Sequence, residues 1–205
     1  MNPVVIKLTD ALYPSALREV FKKDAPEAIT AIGNPDLLKE NKLAVFCSSK
    51  CPGELILKTY DFLRQLKESS QTVISGFHST IEQECLNILL KRRQNIIICP
   101  ARSIEGMKIN KQYQKPIEEG RLLFLSPFDI KNSRISAQRS EFRNQFVAAI
   151  ADKILIPHAA PDSKTERLCR QLIEKGKTIL TFDAEHNRNL IELGAMVIVE
   201  KGLIK

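Results

Sequence analysis

The chain has 205 residues, 43% of them hydrophobic and 27% charged, as expected of an ordinary soluble globular protein with one sizeable domain. No apolar run reaches the ~18 residues of a bilayer span, and the opening MNPVVIKLTDALYPS has no basic region followed by a long apolar stretch, so neither a membrane anchor nor a secretion signal is expected and a cytoplasmic location follows. The formal net charge of +7 favours acidic partners, nucleic acid before anionic membrane.

Residues 1–42 carry one predicted helix in LYPSALREVF, a DAP break and a GNP turn. They are too few to bury a core of their own, so they are expected to form a small appendage packed on a main domain of residues 43–205. From residue 42 two periods alternate. KLAVFCSS (42–49) is a predicted buried strand, and residues 52–69 are a predicted helix with Pro52 in its first turn. QTVIS (71–75) is a strand and 79–93 a helix; NIIICP (95–100) is a strand, followed by a polar, basic stretch to Gly120. LLFLSP (122–127), KILIP (153–157), KTILTF (177–182) and AMVIVE (195–200) are further strands, separated by helices at 134–152, 162–176 and 185–193. Short apolar strands without alternation, divided by helices, predict an α/β fold: a doubly wound, mostly parallel sheet with helices on both faces, Rossmann-like. Ligands of such sheets bind at the carboxyl ends of the strands, near the point where strand order reverses.

The five cysteines, Cys47, Cys51, Cys85, Cys99 and Cys169, include no CxxC pair, although Cys47 and Cys51 are four apart. The three histidines show no HExxH spacing. Buried thiols in a reducing compartment are the reading, with no metal site. No GxSxG or GxxxxGK[ST] motif is present, so no catalytic residue and no cofactor are expected. Glu82 and His158 are the one conceivable acid–base pair near the strand ends.

The Ser75-Gly76 turn carries the first ligand hypothesis. A glycine after a strand frees main-chain N–H groups, and a helix beginning at Ser79 or Thr80 adds partial positive charge; together they would stabilise an anion such as a phosphate. A plain strand-to-helix turn is the competing reading.

The segments LTDALYPSALREV, AIGNPDLL, LAVFCSSKCPG, VISGFHSTIEQECL, EEGRLLFLSP, FRNQFVAAIADKILIPHAA, DSKTERLCRQLIEKGKTILTF and NLIELGA follow one another in this order. The series resembles DNA-processing protein A (DprA, also called Smf), from about residue 8 to residue 200. The resemblance implies a Rossmann-like, non-catalytic protein that binds single-stranded DNA in DNA processing, recombination or DNA uptake. Its implied partners are single-stranded DNA, a RecA-type recombinase and a second copy in a homodimer. The matching positions imply a DNA- or phosphate-binding set of Ser48, Lys50, Ser75, Gly76, Arg102, Arg143, Asn144, Ser163 and Lys164. Side chains replace several family glycines and charges: Cys47 and Ser49 in the family's GSR, Thr80 and Glu82 in its SGxAxGID, Gln145 in its RNR, and His158 and Lys164 around its SG turn.

A basic series, Lys91, Arg92, Arg93, Arg102, Lys108, Lys111 and Lys115, could track a nucleic-acid backbone, and Phe77, Tyr113 and Phe142 are candidates for base stacking. A narrowed cleft would instead suit a small nucleotide, giving a nucleotide sensor or enzyme; a degenerate scaffold that pairs with another protein is a third reading.

Overall fold

The computed structural model describes residues 3–66, 71–132, 134–199 and 203–204. The elements are β1 (Val4–Lys7), α1 (Ser15–Phe21), β2 (Ala28–Gly33), β3 (Lys42–Val45), α2 (Gly53–Gln65), β4 (Thr72–Ser75), α3 (Thr80–Lys91), β5 (Ile96–Ile98), α4 (Lys111–Glu118), β6 (Leu122–Ser126), α5 (Ala137–Ile150), β7 (Lys153–Leu155), α6 (Lys164–Glu174), β8 (Thr178–Phe182), α7 (Arg188–Glu192), β9 (Met196–Val199) and β10 (Leu203–Ile204).

These strands form one sheet in the order β1-β2-β6-β5-β4-β3-β7-β8-β9-β10. From β6 to β9 all neighbours are parallel, while β1, β2 and β10 pair antiparallel at the two edges. The central strands are apolar on both faces because both faces are covered, as parallel sheets require. One core packs α1, α5 and α6 against the sheet through Leu17, Phe146, Val147, Cys169 and Leu172, with Ile6 and Ile29 of β1 and β2 in the same cluster. The other packs α2, α3 and α4 through Leu55, Leu63, Ile81, Leu89 and Ile117.

Within the first 42 residues, expected to pack on the sheet, α1 lies against its face through Leu17 while β1 and β2 extend it in its own plane, β2 pairing with both β1 and β6. Helix α4 arises inside the polar, basic stretch; Asn110 caps it by accepting a hydrogen bond from the Gln112 N–H, and Pro116 lies within it. The helix expected to reach residue 69 ends at Gln65, and residues 67–70 lie outside the described ones. No described helix is long and apolar enough to cross a membrane.

The chain builds β3, steps outward through β4, β5 and β6, then returns to lay β7 on the other flank of β3. The carboxyl ends of β3 and β7 therefore meet where the strand order reverses, the position at which such sheets form ligand crevices.

Candidate nucleic-acid interface

The turn after β4 is filled from within the protein. Ser75 is buried, and its hydroxyl donates to the Val45 carbonyl (2.8 Å) and accepts the Phe77 N–H (3.3 Å). Phe77 takes a left-handed backbone conformation, φ 47°, which swings the next amides inward. There they meet the buried Glu82 carboxylate, which accepts from the N–H groups of His78 (2.9 Å), Ser79 (3.4 Å) and, across the β3 end, Cys47 (3.2 Å). The Ser79 hydroxyl accepts the Glu82 N–H in return, closing a capping box at the start of α3. The N–H groups of His78 and Ser79 are thus taken by an internal carboxylate and that of Glu82 by the Ser79 hydroxyl, which removes those three donors from the anion cradle expected from the sequence.

Gly76 has a different task from the one expected. A Cβ built on it would lie 1.2 Å from Nη1 of Arg143. Arg143 reaches from α5 over the sheet edge into this space, 5% exposed, donating from Nη1 to the Cys99 carbonyl (3.0 Å) and from Nε to the Asn144 side-chain oxygen (2.8 Å). Burial lowers its pKa from the usual arginine value and the Glu82 charge raises it in opposition. Arg143 and Gly76 form one buried unit that ties α5, β4 and β5 together, beside the buried Glu82 of α3, whose charge acts on Arg143 without an ion pair within 4 Å among the described residues. Asn144 is half-buried and serves as the partner of Arg143.

The turn after β7 repeats this plan. Ser163 caps α6 by accepting the Glu166 N–H (3.1 Å), and the Glu166 carboxylate accepts from the Asp162 N–H (2.8 Å) and from the Asn189 amide. Asp162 also has a positive φ, 59°. Beside it, His158 is buried, with Nδ1 3.1 Å from the side-chain oxygen of Asn187. The Asn187 amide nitrogen donates to the Pro157 and Phe182 carbonyls and to the Thr181 hydroxyl, so its oxygen accepts and His158 Nδ1 carries the proton. Both members of the conceivable acid–base pair are therefore engaged in structural hydrogen bonds, and Asn187, absent from the expected set, is the hub of the β7–β8 end.

The turn after β3 differs. Its buried Ser48 donates its N–H to the His158 carbonyl (3.2 Å), but its hydroxyl finds no partner among the described residues. Pro52 stands at the N-cap of α2 without a side-chain cap bond. Lys50 is exposed at the tip. Across the edge Lys164 is exposed at the first position of α6 and Arg102 is half-exposed after β5. Among the described residues none of these three forms an ion pair within 4 Å. Lys131 and Arg134, exposed on the segment before α5, join the same edge and are absent from the expected set. The sequence pattern starts a helix at residue 134, whereas α5 begins only at Ala137 under a Ser136 cap. The exposed acids closest in the chain are Glu54 to Lys50, Glu105 to Arg102, Asp129 to Lys131 and Arg134, and Asp162 to Lys164.

The basic series does not form one band. α3 starts at the carboxyl edge and ends at the opposite one, so Lys91, Arg92 and Arg93 lie far from Arg102 and Lys108; Arg93 and Lys115 share Glu119 instead (3.6 and 4.0 Å). The aromatic candidates are packed: Phe77 is buried, Tyr113 meets Phe124 edge-on at 5.3 Å, and Phe142 lies between Phe21 and Phe128 at 5.2 and 5.8 Å.

The model of the family described as DNA recombination-mediator protein A matches residues 4–203. The chain belongs to that family. Within the family, DNA processing protein A from Streptococcus pneumoniae superposes with a TM-score of 0.79 at 21% identity, over 97% of this chain and 71% of that one. The Helicobacter pylori protein, whose single-stranded DNA binding mode has been described structurally, superposes at 0.75 and 18% identity, over 97% and 91%. The molybdenum cofactor carrier protein of Chlamydomonas reinhardtii shares the sheet at 0.51 and 11% identity, over 76% and 86%. No protein of curated function matches in sequence. The superpositions bear out the doubly wound Rossmann-like fold of this family member.

Proposed function

We propose that the protein binds single-stranded DNA, without chemistry, along the carboxyl edge of the sheet, and acts in DNA processing during recombination or uptake. The observation that carries this reading is the set of cations without ion-pair partners among the described residues, Lys50 and Lys164 at the strand-order reversal and Arg102 after β5 on the same edge. Unneutralised cations attract phosphates and release counterions on binding. Family membership and the single-stranded DNA binding described for the H. pylori relative support it. In this reading Lys50, Arg102 and Lys164 contact phosphates, while Ser48, Ser75, Gly76, Arg143, Asn144 and Ser163 hold the edge in shape. A RecA-type recombinase and a second copy of the chain are its proposed protein partners, and its proposed location is cytoplasmic. Filter binding of a radiolabelled oligonucleotide at several salt concentrations tests the reading. Retention that falls steeply with salt is expected, and no retention at the lowest salt overturns it.

A further inference from the structure

Two turns between β6 and α5 hold large apolar side chains out in solvent. Ile130 is 63% exposed and Ile135 is 51% exposed. Ile130 opens a single helical turn, Ile130–Asn132. That turn is closed by the Asn132 N–H on the Asp129 carbonyl (2.9 Å) and by the Asn132 amide on the Asp129 carboxylate (2.9 Å). The Asn132 carbonyl accepts the Ser103 N–H (2.9 Å), and the Ser126 hydroxyl donates to the Arg102 carbonyl (2.8 Å). The turn is therefore bonded to the loop that carries Arg102. Ile135 immediately precedes Ser136, the cap of α5, and Arg139 of that helix donates to the Arg134 carbonyl. Each isoleucine has a cation as chain neighbour, Lys131 for Ile130 and Arg134 for Ile135. Both cations are exposed, and neither forms an ion pair within 4 Å among the described residues. Phe77 is buried and Phe142 is packed between Phe21 and Phe128, so the aromatic rings give a ligand little here and the isoleucines present the apolar surface.

We propose that Ile130 and Ile135 are base contacts: they take the faces of unstacked bases, while Lys131 and Arg134 hold the neighbouring phosphates. The inference rests on the reading that this edge binds DNA. A single exposed apolar side chain is ordinary. Two of them, fixed by hydrogen-bonded turns and each beside an unpaired cation, match the alternation of base and phosphate along a nucleic-acid strand. An aliphatic side chain has no ring to stack. It gains from the apolar area it covers, whatever the base, and isoleucine is among the side chains that insert at base steps. In a duplex the base faces are covered by the neighbouring pairs, whereas in a single strand they can be splayed out. The two isoleucines therefore select a single strand over a duplex rather than one sequence over another.

Filter binding of the full chain with three probes of equal length tests the proposal: single-stranded oligothymidine, an abasic strand with the same sugar–phosphate chain but no bases, and a duplex. The parent is expected to bind oligothymidine about tenfold more tightly than the abasic strand, the scale of one apolar side chain partly buried. Ile130→Ser/Ile135→Ser is expected to erase that difference and to bind both strands as the parent binds the abasic one. Its salt dependence stays that of the parent, because no cation is lost. Its duplex affinity also stays, so its preference for single strands narrows. Leu57→Ser, at an exposed leucine of α2, is the control and keeps every affinity. A melting temperature equal to that of the parent shows that the double variant is folded; the two single variants, each losing part of the preference, serve if it melts early. A parent that binds oligothymidine and the abasic strand equally overturns the proposal and leaves DNA binding by the cations in place. A folded double variant that keeps the parent's preference also overturns it, and turns the isoleucines over to a protein partner. Retention of none of the three probes by the parent overturns the proposed function and this inference with it.

Discussion

Two turns at the same edge of the sheet have opposite characters. After β4, much of what the sequence offers a ligand is consumed internally: Glu82 takes the Cys47, His78 and Ser79 amides, Arg143 fills the space over Gly76, and Ser75 bonds backbone on both sides. After β3, the helix start has no side-chain cap bond, the Ser48 hydroxyl has no described partner and Lys50 is exposed to solvent. The first turn is a structural clamp and the second an open contact. A glycine next to a helix N-terminus therefore does not by itself mark an anion site. An acidic residue at the third helical position can occupy that site with the protein's own carboxylate.

The largest effect that would separate the two turns is on stability. Arg143→Ala strips a buried guanidinium from the Cys99 carbonyl and the Asn144 side chain and empties the space it fills over Gly76, and is expected to cost about 3 kcal/mol by urea denaturation. A loss under about 0.5 kcal/mol, the range of an ordinary surface substitution, would show that the clamp contributes nothing. Gly76→Ala forces the same guanidinium out of place and is expected to cost about 2 kcal/mol, the penalty for an unpaired buried polar group. Glu82→Ala frees three N–H groups, and a cost of about 2 kcal/mol is expected from them. It is also expected to let sulfate raise the melting temperature of this variant more than that of the parent, which sulfate stabilises only by exclusion from the surface; equal sulfate effects on both would break the claim that Glu82 occupies the anion position. Lys50→Ala and Lys164→Ala, by contrast, are expected to change stability by less than about 0.5 kcal/mol while each weakens oligonucleotide binding. The smallest effect belongs to Lys91→Ala at the opposite edge, which should leave both stability and oligonucleotide binding as they are in a filter assay; weakened binding there would move the interface.

Much of this architecture is readable in the sequence. Strands buried on both faces have to be apolar throughout, so LAVF, TVIS, IIIC and LLFL stand out from their flanks, and the ordered family segments place them in one fold. Helix α4 is hidden by Pro116 and by charge, although Asn110 and the spacing of Tyr113, Pro116 and Ile117 are the signals it gives. The clamp is legible too, as Ser79-x-x-Glu82 and Ser163-x-x-Glu166, the sequence form of a capping box. The same serines, with the neighbouring glycine, also fit the pattern of ligand donors, and only the position of the carboxylates decides between the two. What the sequence does not show is which groups meet across distant segments. Arg143 finds Gly76 from a helix that β5 and β6 separate from it in sequence, His158 needs Asn187 to fix its proton, and the basic series divides because the end of α3 and the end of β5 lie at opposite edges.

The salt dependence of oligonucleotide binding by the parent protein and by the Lys50→Ala/Lys164→Ala double variant tests the central claim most directly. If these side chains meet phosphates at the open turn, the plot of log affinity against log salt becomes shallower by about 0.7 for each phosphate no longer neutralised, about 1.4 for the pair. An unchanged slope in a folded double variant would contradict the assignment of DNA binding to this edge.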